Sequence, residues 1–217
     1  MKQINEKTWQ SDNGLITFIH GDCMELMAGC KEKEFDLACV DPEFGINIGK
    51  SARLVTDKGL KAKEWDNKPI DSRYFDVLFN VSNNQIIWGG NYYALPPNKH
   101  CIVWDKIQPE KLSFGMFDYA WTSFDGANKM FRQSVQKETI DFHPTSKPIG
   151  LYRWIFKNYA KPTDHIFDSH GGSMSSAIAA HMEGLKMTII ELDEEYFQKA
   201  IKRFATYESQ QTISFDL

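Results

Sequence analysis

Ile166-Phe167-Asp168-Ser169-His170-Gly171-Gly172-Ser173 is the stretch on which the reading of the fold turns. A short apolar run ends in a carboxylate and opens into a glycine turn, and Ser173 to Glu183 then reads as a helix rich in alanine. Lys186 to Glu191 follows as an apolar strand ending in an acid. Strand, glycine turn, helix and strand make a βαβ unit. Backbone at such a turn can approach a ligand closely, and Ser173, Ser175, Ser176, Ala177, Ala179 and Ala180 let the helix lie tightly on the sheet. Glu191 stands about 20 residues beyond the turn, where an acid commonly takes ribose hydroxyls. The turn lacks a full GxGxxG, which disfavours a dinucleotide, and a βαβ unit without any ligand stays an open reading.

The same alternation runs outward from this unit. Leu15 to His20, Phe35 to Val40, Gln85 to Trp88, Cys101 to Trp104 and Asp118 to Phe124 read as strands. Helices are expected after Gly21-Asp22, over Tyr74 to Val81, over Pro148 to Tyr159 and over Glu194 to Phe204. Phe35 to Val40 is apolar almost throughout, as a strand buried on both faces should be. Asn47 to Pro69 has no clear period and is the longest candidate loop. Gly126 to Phe142 is polar and weakly patterned, and Met1 to Gly14 is polar without an apolar leader core. The expectation is one α/β domain over residues 1–217, a three-layer sandwich around a mostly parallel sheet.

A second motif closes the strand Phe35 to Val40: Asp41-Pro42-Glu43-Phe44. An exocyclic amine on an aromatic ring is a poor nucleophile, because its lone pair is delocalised. Two acceptors aimed at its hydrogens, the Asp41 carboxylate and the Pro42 carbonyl, would free that lone pair, and Phe44 could stack on the ring. The bland alternative is a turn opened by Asp-Pro.

Composition bounds the partners. The 217 residues carry a net charge of −4, which weakly opposes tight non-specific binding to a polyanion. Lys50, Arg53, Lys58, Lys61, Lys63 and Lys68 nevertheless crowd one stretch, which could follow phosphates or simply be a solvated loop. Cys23, Cys30, Cys39 and Cys101 form no CxxC pair, so neither a metal site nor a disulfide is expected. No apolar run reaches the length of about 20 residues needed to span a bilayer, and a cytoplasmic protein is expected.

Taken together, these motifs resemble the amino-methyltransferases of DNA, which methylate adenine N6 or cytosine N4 with S-adenosylmethionine. The family tetrapeptide [D/N/S]-P-P-[Y/F/W] reads Asp41-Pro42-Glu43-Phe44 here, and the family turn DPFxGSG reads Asp168 to Met174. His143-Pro144-Thr145-Ser146-Lys147-Pro148 looks like the HPTQKP element, and Gly21-Asp22-Cys23 like the GD(C) element. Ile87 to Tyr93 and Val103 to Lys106 look like stretches found after the tetrapeptide, and Glu191 to Phe197 matches E-x-D-x-x-Y-F.

Catalytic tetrapeptide before cofactor turn is the permuted order of the family's β group. The turn looks like that of short methylases of phages and prophages, such as serve in restriction-modification. The resemblance implies a Rossmann-like sheet of seven strands with one antiparallel strand near an edge. It also implies a catalytic region 15–105, a small variable or recognition region 106–142 and a cofactor region 143–205.

It further implies S-adenosylmethionine as cofactor, held by Asp22, Cys23, Asp41, Thr145, Lys147, Asp168, His170, Gly172, Ser173, Glu191 and Asp193. Catalysis would rest on Asp41, Pro42, Glu43 and Phe44, and DNA phosphates would fall to Lys50, Arg53, Lys58, Lys61 and Lys63. A tetrapeptide led by aspartate favours adenine N6 on a flipped-out base, and family analogy suggests a homodimer. Two departures stand out: Glu43 replaces the second proline, and Ser169-His170 with Met174 replace proline, phenylalanine and a glycine. Methylation of RNA or another amine, and an impaired DNA-binding subunit of the same fold, are the alternatives.

Overall fold

The structure is a computed structural model that describes residues 1–50, 63–111, 115–138 and 140–213. Its strands in chain order are β1 (Lys2–Asn5), β2 (Thr8–Gln10), β3 (Ile16–His20), β4 (Phe35–Val40), β5 (Ser82–Trp88), β6 (Cys101–Asp105), β7 (Phe117–Thr122), β8 (Lys129–Arg132), β9 (His165–Asp168) and β10 (Lys186–Glu191). The helices are α1 (Cys23–Ala28), α2 (Arg73–Val81), α3 (Ile149–Tyr159), α4 (Ser175–Met182) and α5 (Glu194–Ile213). All strands join one sheet in the order β1-β2-β3-β10-β9-β4-β5-β7-β6-β8. From β3 to β5 every pairing is parallel. β7 runs antiparallel between β5 and β6.

Alternation along β4 divides the core. Leu37 and Cys39 face the layer of α3, α4 and α5, where Leu151, Ile155, Ile178, Phe197 and Phe204 are buried. Ala38 and Val40 face the layer of α1 and α2, against Met27, Tyr74, Leu78 and Val81. Two clusters on opposite faces of one sheet make the expected three-layer sandwich. The small side chains of α4, buried from Ser175 to Ala180, let that helix sit close to the sheet.

The expected seven strands correspond to β3 through β6 in sheet order, with β7 as the antiparallel member, but the sheet is larger. β1 and β2 form an antiparallel hairpin on β3, within the polar segment Met1 to Gly14, over which no strand is read from the sequence. β8 adds a parallel edge strand on β6, within the weakly patterned Gly126 to Phe142. These strands are three or four residues long and lie at or near the sheet edges, so no continuous apolar period marks them. Helix α5 runs beyond Phe204, to Ile213. Among the described residues no helix is long and apolar enough to cross a membrane.

The consequence for function lies between β4 and β9. These strands are neighbours, yet the chain leaves β4 toward β5 and leaves β9 toward β10, in opposite directions along the sheet. Such a switch point opens a crevice at the carboxyl ends of the strands, where open α/β sheets bind ligands.

Candidate active site

A cleft of about 1820 Å³ occupies that crevice, with Asp41 to Phe44 on one wall and Ser169 to Ser173 on the other. Asp41 follows β4 directly. Its Oδ2 accepts a short hydrogen bond from the Lys147 ammonium, which is buried. Asp41 Oδ1 is buried with no hydrogen-bond partner. Burial pushes the Asp41 carboxyl above its ordinary range, and Lys147 only partly offsets this. One oxygen is therefore fixed and its twin is left to accept from something else.

The rest of the tetrapeptide is pinned around it. The Tyr93 hydroxyl lies 2.9 Å from the Pro42 carbonyl and 3.1 Å from the Glu43 carbonyl, donating to either. Glu43 Oε2 lies 3.3 Å from His170 Nε2, so tetrapeptide and turn touch. Phe44 stacks on Tyr92 at 4.9 Å and 12° and lies under the Lys147 ammonium at 5.9 Å. Gly89, at φ +70°, is what lets the ring in: a Cβ there would meet Phe44 Cε1 at 2.2 Å.

The glycine turn is tied to its neighbours through backbone. Asp168 closes β9, accepts from Ser176 Oγ (2.6 Å) and from the His170 amide (3.1 Å), and burial raises its carboxyl to about 7. Gly172, at φ +50°, donates its amide to Glu191 Oε2 at 2.6 Å, while the Asp193 amide donates to Oε1 at 2.8 Å. A Cβ on Gly172 would fall 2.9 Å from His143 Nε2, so the position needs glycine twice over. Ser173 Oγ lies 2.6 Å from Ser146 Oγ, which joins the turn to the His143–Pro148 segment. Thr145 lines the cleft at its exposed rim. Asp22 caps α1 by accepting from the Met24 amide at 2.7 Å, and burial, with Asp22 and Glu43 adding to it, raises the adjoining Cys23 thiol to about 12.

Met174 stands at the start of α4 with φ +57°, the left-handed region, and its side chain is fully buried. The glycine of the family pattern has a conformational reason at this position. Here, side-chain burial supports a strained residue in its place.

The charged residues distribute unevenly. Lys63 Nζ contacts both Asp193 oxygens (2.7 and 2.6 Å) and Glu195 (3.2 Å), and sits 3.9 Å from the Tyr196 ring centroid. It is a clamp on the start of α5, and the Asp193 carboxylate, which also accepts from the Tyr196 amide, is committed there too. Lys50 pairs at the surface with Glu64 at 2.8 Å. Arg53, Lys58 and Lys61 lie outside the described residues. Among the described residues no group of three or more His, Cys, Asp or Glu is arranged to hold a metal ion.

Sequence reasoning missed several partners. Arg203 on α5 donates to the Ser173 carbonyl (2.7 Å) and to Ser175 Oγ (3.0 Å), holding the turn from behind. It sits among lysines of an amphipathic helix and carries no motif. Tyr93 lay inside a stretch noted only for its resemblance, and an aromatic just beyond Gly89-Gly90 was the available signal. Burial and the nearby Lys147 drive the His143 imidazole down to about 3, so it serves the site as a neutral ring.

Comparison with known proteins bears on this geometry. A family model described as DNA methylase, of the N6/N4 type, matches residues 46–202. The Type II methyltransferase M2.MboI of Moraxella bovis is 21% identical, over 90% of this chain and 90% of the relative. The M1.HpyAVI–SAM complex superposes with TM-score 0.60 at 18% identity, over 87% of this chain and 99% of that one. The cytosine-N4-specific PvuII DNA methyltransferase superposes with TM-score 0.64 at 13% identity, over 96% of each chain.

Proposed function

The chain belongs to the N6/N4 DNA methylase family and is an S-adenosylmethionine-dependent DNA methyltransferase, and we propose that it methylates N6 of an adenine flipped out of the duplex. The observation that carries the reading is the Asp41 carboxylate, with Oδ2 held by Lys147 and Oδ1 buried without a partner in the cleft. An unmet buried acceptor is costly, and an amine hydrogen is a group that would satisfy it. The aspartate at the head of the tetrapeptide favours adenine over cytosine. A base inside the stack could not reach this cleft, so extrusion is part of the proposal.

The residues present fit the cofactor. The cleft exceeds the range of about 300–1,000 Å³ typical of one small ligand, which leaves room for cofactor and base together. Glu191 keeps lone pairs on both oxygens for hydroxyls beyond its two amide contacts. S-adenosylmethionine supplies an electrophilic methyl group on a sulfonium. Asp41 Oδ1 accepts one amine hydrogen and the Pro42 carbonyl, by its second lone pair, the other, so the nitrogen lone pair leaves conjugation with the ring. Phe44 holds the base plane, backed by Tyr92 on one face. Lys147 keeps Asp41 oriented and Ser173, with Ser146 and Arg203, holds the turn.

Phosphate contacts fall in this proposal to Lys50, Arg53, Lys58 and Lys61, whereas Lys63 clamps α5. Digestion of methyl-labelled DNA to nucleosides tests the base: N6-methyladenine supports the proposal, and N4-methylcytosine alone overturns its choice of base.

A further inference from the structure

Two residues that depart from the family pattern meet across the cleft. Glu43 comes from the tetrapeptide wall and His170 from the glycine turn, and Oε2 lies 3.3 Å from Nε2. Both side chains are mostly shielded, at 25% and 16% exposure. The imidazole is held at its other nitrogen too: Nδ1 lies 2.8 Å from Ser169 Oγ, which lies 2.6 Å from the Tyr74 hydroxyl of α2. Tyr74 also meets the ring edge-on at 5.5 Å. The tetrapeptide, for its part, lacks the rigid φ a second proline would give at Glu43. Its backbone is fixed from outside, by the Tyr93 hydroxyl and by the Ile70 amide on the Glu43 carbonyl at 3.3 Å.

We propose that His170 is a positioning residue for methyl transfer: its imidazolium grips the Glu43 carboxylate and so locks the catalytic tetrapeptide to the cofactor turn. The inference rests on the functional reading above and adds to it the device that aligns the two reactants. A rigid backbone torsion is replaced by an ion pair between the very segments that must be aligned, and alignment is where catalysis without a covalent intermediate is most sensitive.

The surroundings favour the charged pair. Burial pulls the His170 imidazolium down, but Glu43, Asp168 and Glu191 outweigh it and its pKa is raised. Burial likewise pushes Glu43 up, and His170 outweighs that, so Glu43 is lowered. The groups facing the pair are Asp41 after β4, Asp168 at the end of β9, Glu191 at the end of β10, Tyr74 of α2 and Cys23 of α1. Because the folded pKa of His170 is raised, the grip is present below it and is lost as pH rises through it.

The test combines a titration with a mutant cycle. The His170 ring resonance, assigned with His170→Gln, should titrate above the ordinary histidine pKa of about 6.5 in the wild type. In Glu43→Gln it should titrate lower. In methyl transfer at saturating cofactor, Glu43→Gln and His170→Gln should each lose about tenfold in kcat, and the double variant no more than the worse single one. The alkaline fall of the wild-type kcat should vanish in the double variant, and Glu43→Pro should lose activity rather than gain it.

An unchanged His170 titration in Glu43→Gln, or losses that multiply in the double variant, would overturn the proposal. A folded wild type that transfers methyl to no DNA would instead sink the functional reading. The pair would then be decided by the titration and by the same cycle read on the S-adenosylmethionine dissociation constant.

Discussion

Replacing Lys147 by methionine keeps the length of the side chain and removes the ammonium that holds Asp41. Lys147 is 3% exposed and Asp41 22%, so solvent screens the pair only in part. Removing one partner of a fully buried pair costs about 3–5 kcal/mol, and the open side of Asp41 reduces this to about 2–3 kcal/mol. At about 1.4 kcal/mol per tenfold change in proton affinity, that is about two pH units.

The sign follows from Asp41, whose carboxyl already lies above its ordinary range and rises further without Lys147. Activity that needs the carboxylate is present at high pH and lost as pH falls through that value. The acid limb of kcat, measured at saturating S-adenosylmethionine, should therefore move up by about two pH units in Lys147→Met. Lys147→Arg keeps the charge and should leave the limb near its wild-type position. Wild type and Lys147→Met sharing one acid limb would refute the idea that Lys147 governs Asp41.

Other perturbations test the scaffold. Gly89→Ala places a methyl 2.2 Å from Phe44 at a left-handed φ, so it should cost about 2–4 kcal/mol in urea unfolding or expel the ring, and lower kcat either way. Met174→Gly relieves about 1 kcal/mol of backbone strain but forfeits a buried side chain, and a thermal melt should show it net destabilised by about 1–3 kcal/mol. Asp168, raised to about 7, binds a proton in the folded protein that the unfolded chain releases near pH 4. Its contribution to stability thus falls as pH rises between these values, and Asp168→Asn should flatten the decline seen in denaturation midpoints over that range.

Much of the architecture was legible because buried elements carry apolar runs or stripes. The buried runs of β4, β9 and β10 and the stripe of α2 are visible in sequence, whereas the switch point is not, because only the sheet order makes β4 and β9 neighbours. The hairpin β1–β2 and the edge strand β8 were not, because three or four exposed or half-exposed residues leave no apolar pattern.

In the site, the tetrapeptide and the glycine turn were legible as motifs, each closing a buried strand. Their pairings were not. Glu43 with His170, Lys147 with Asp41 and Lys63 with Asp193 join residues far apart in the chain, and charge along a sequence does not reveal such partners. Lys63 is an instance: the basic run suggests phosphate, and only the fold shows its ammonium on Asp193 and Glu195.

The central claim is that Asp41 Oδ1 accepts from the reacting amine. Single-turnover methyl transfer to adenine-containing DNA, in Asp41→Ala against the wild type, tests it most directly. The account predicts a loss of about a hundredfold or more in the rate of the chemical step, with S-adenosylmethionine still bound and the fold intact. A folded Asp41→Ala enzyme that transfers methyl at close to the wild-type rate would contradict it.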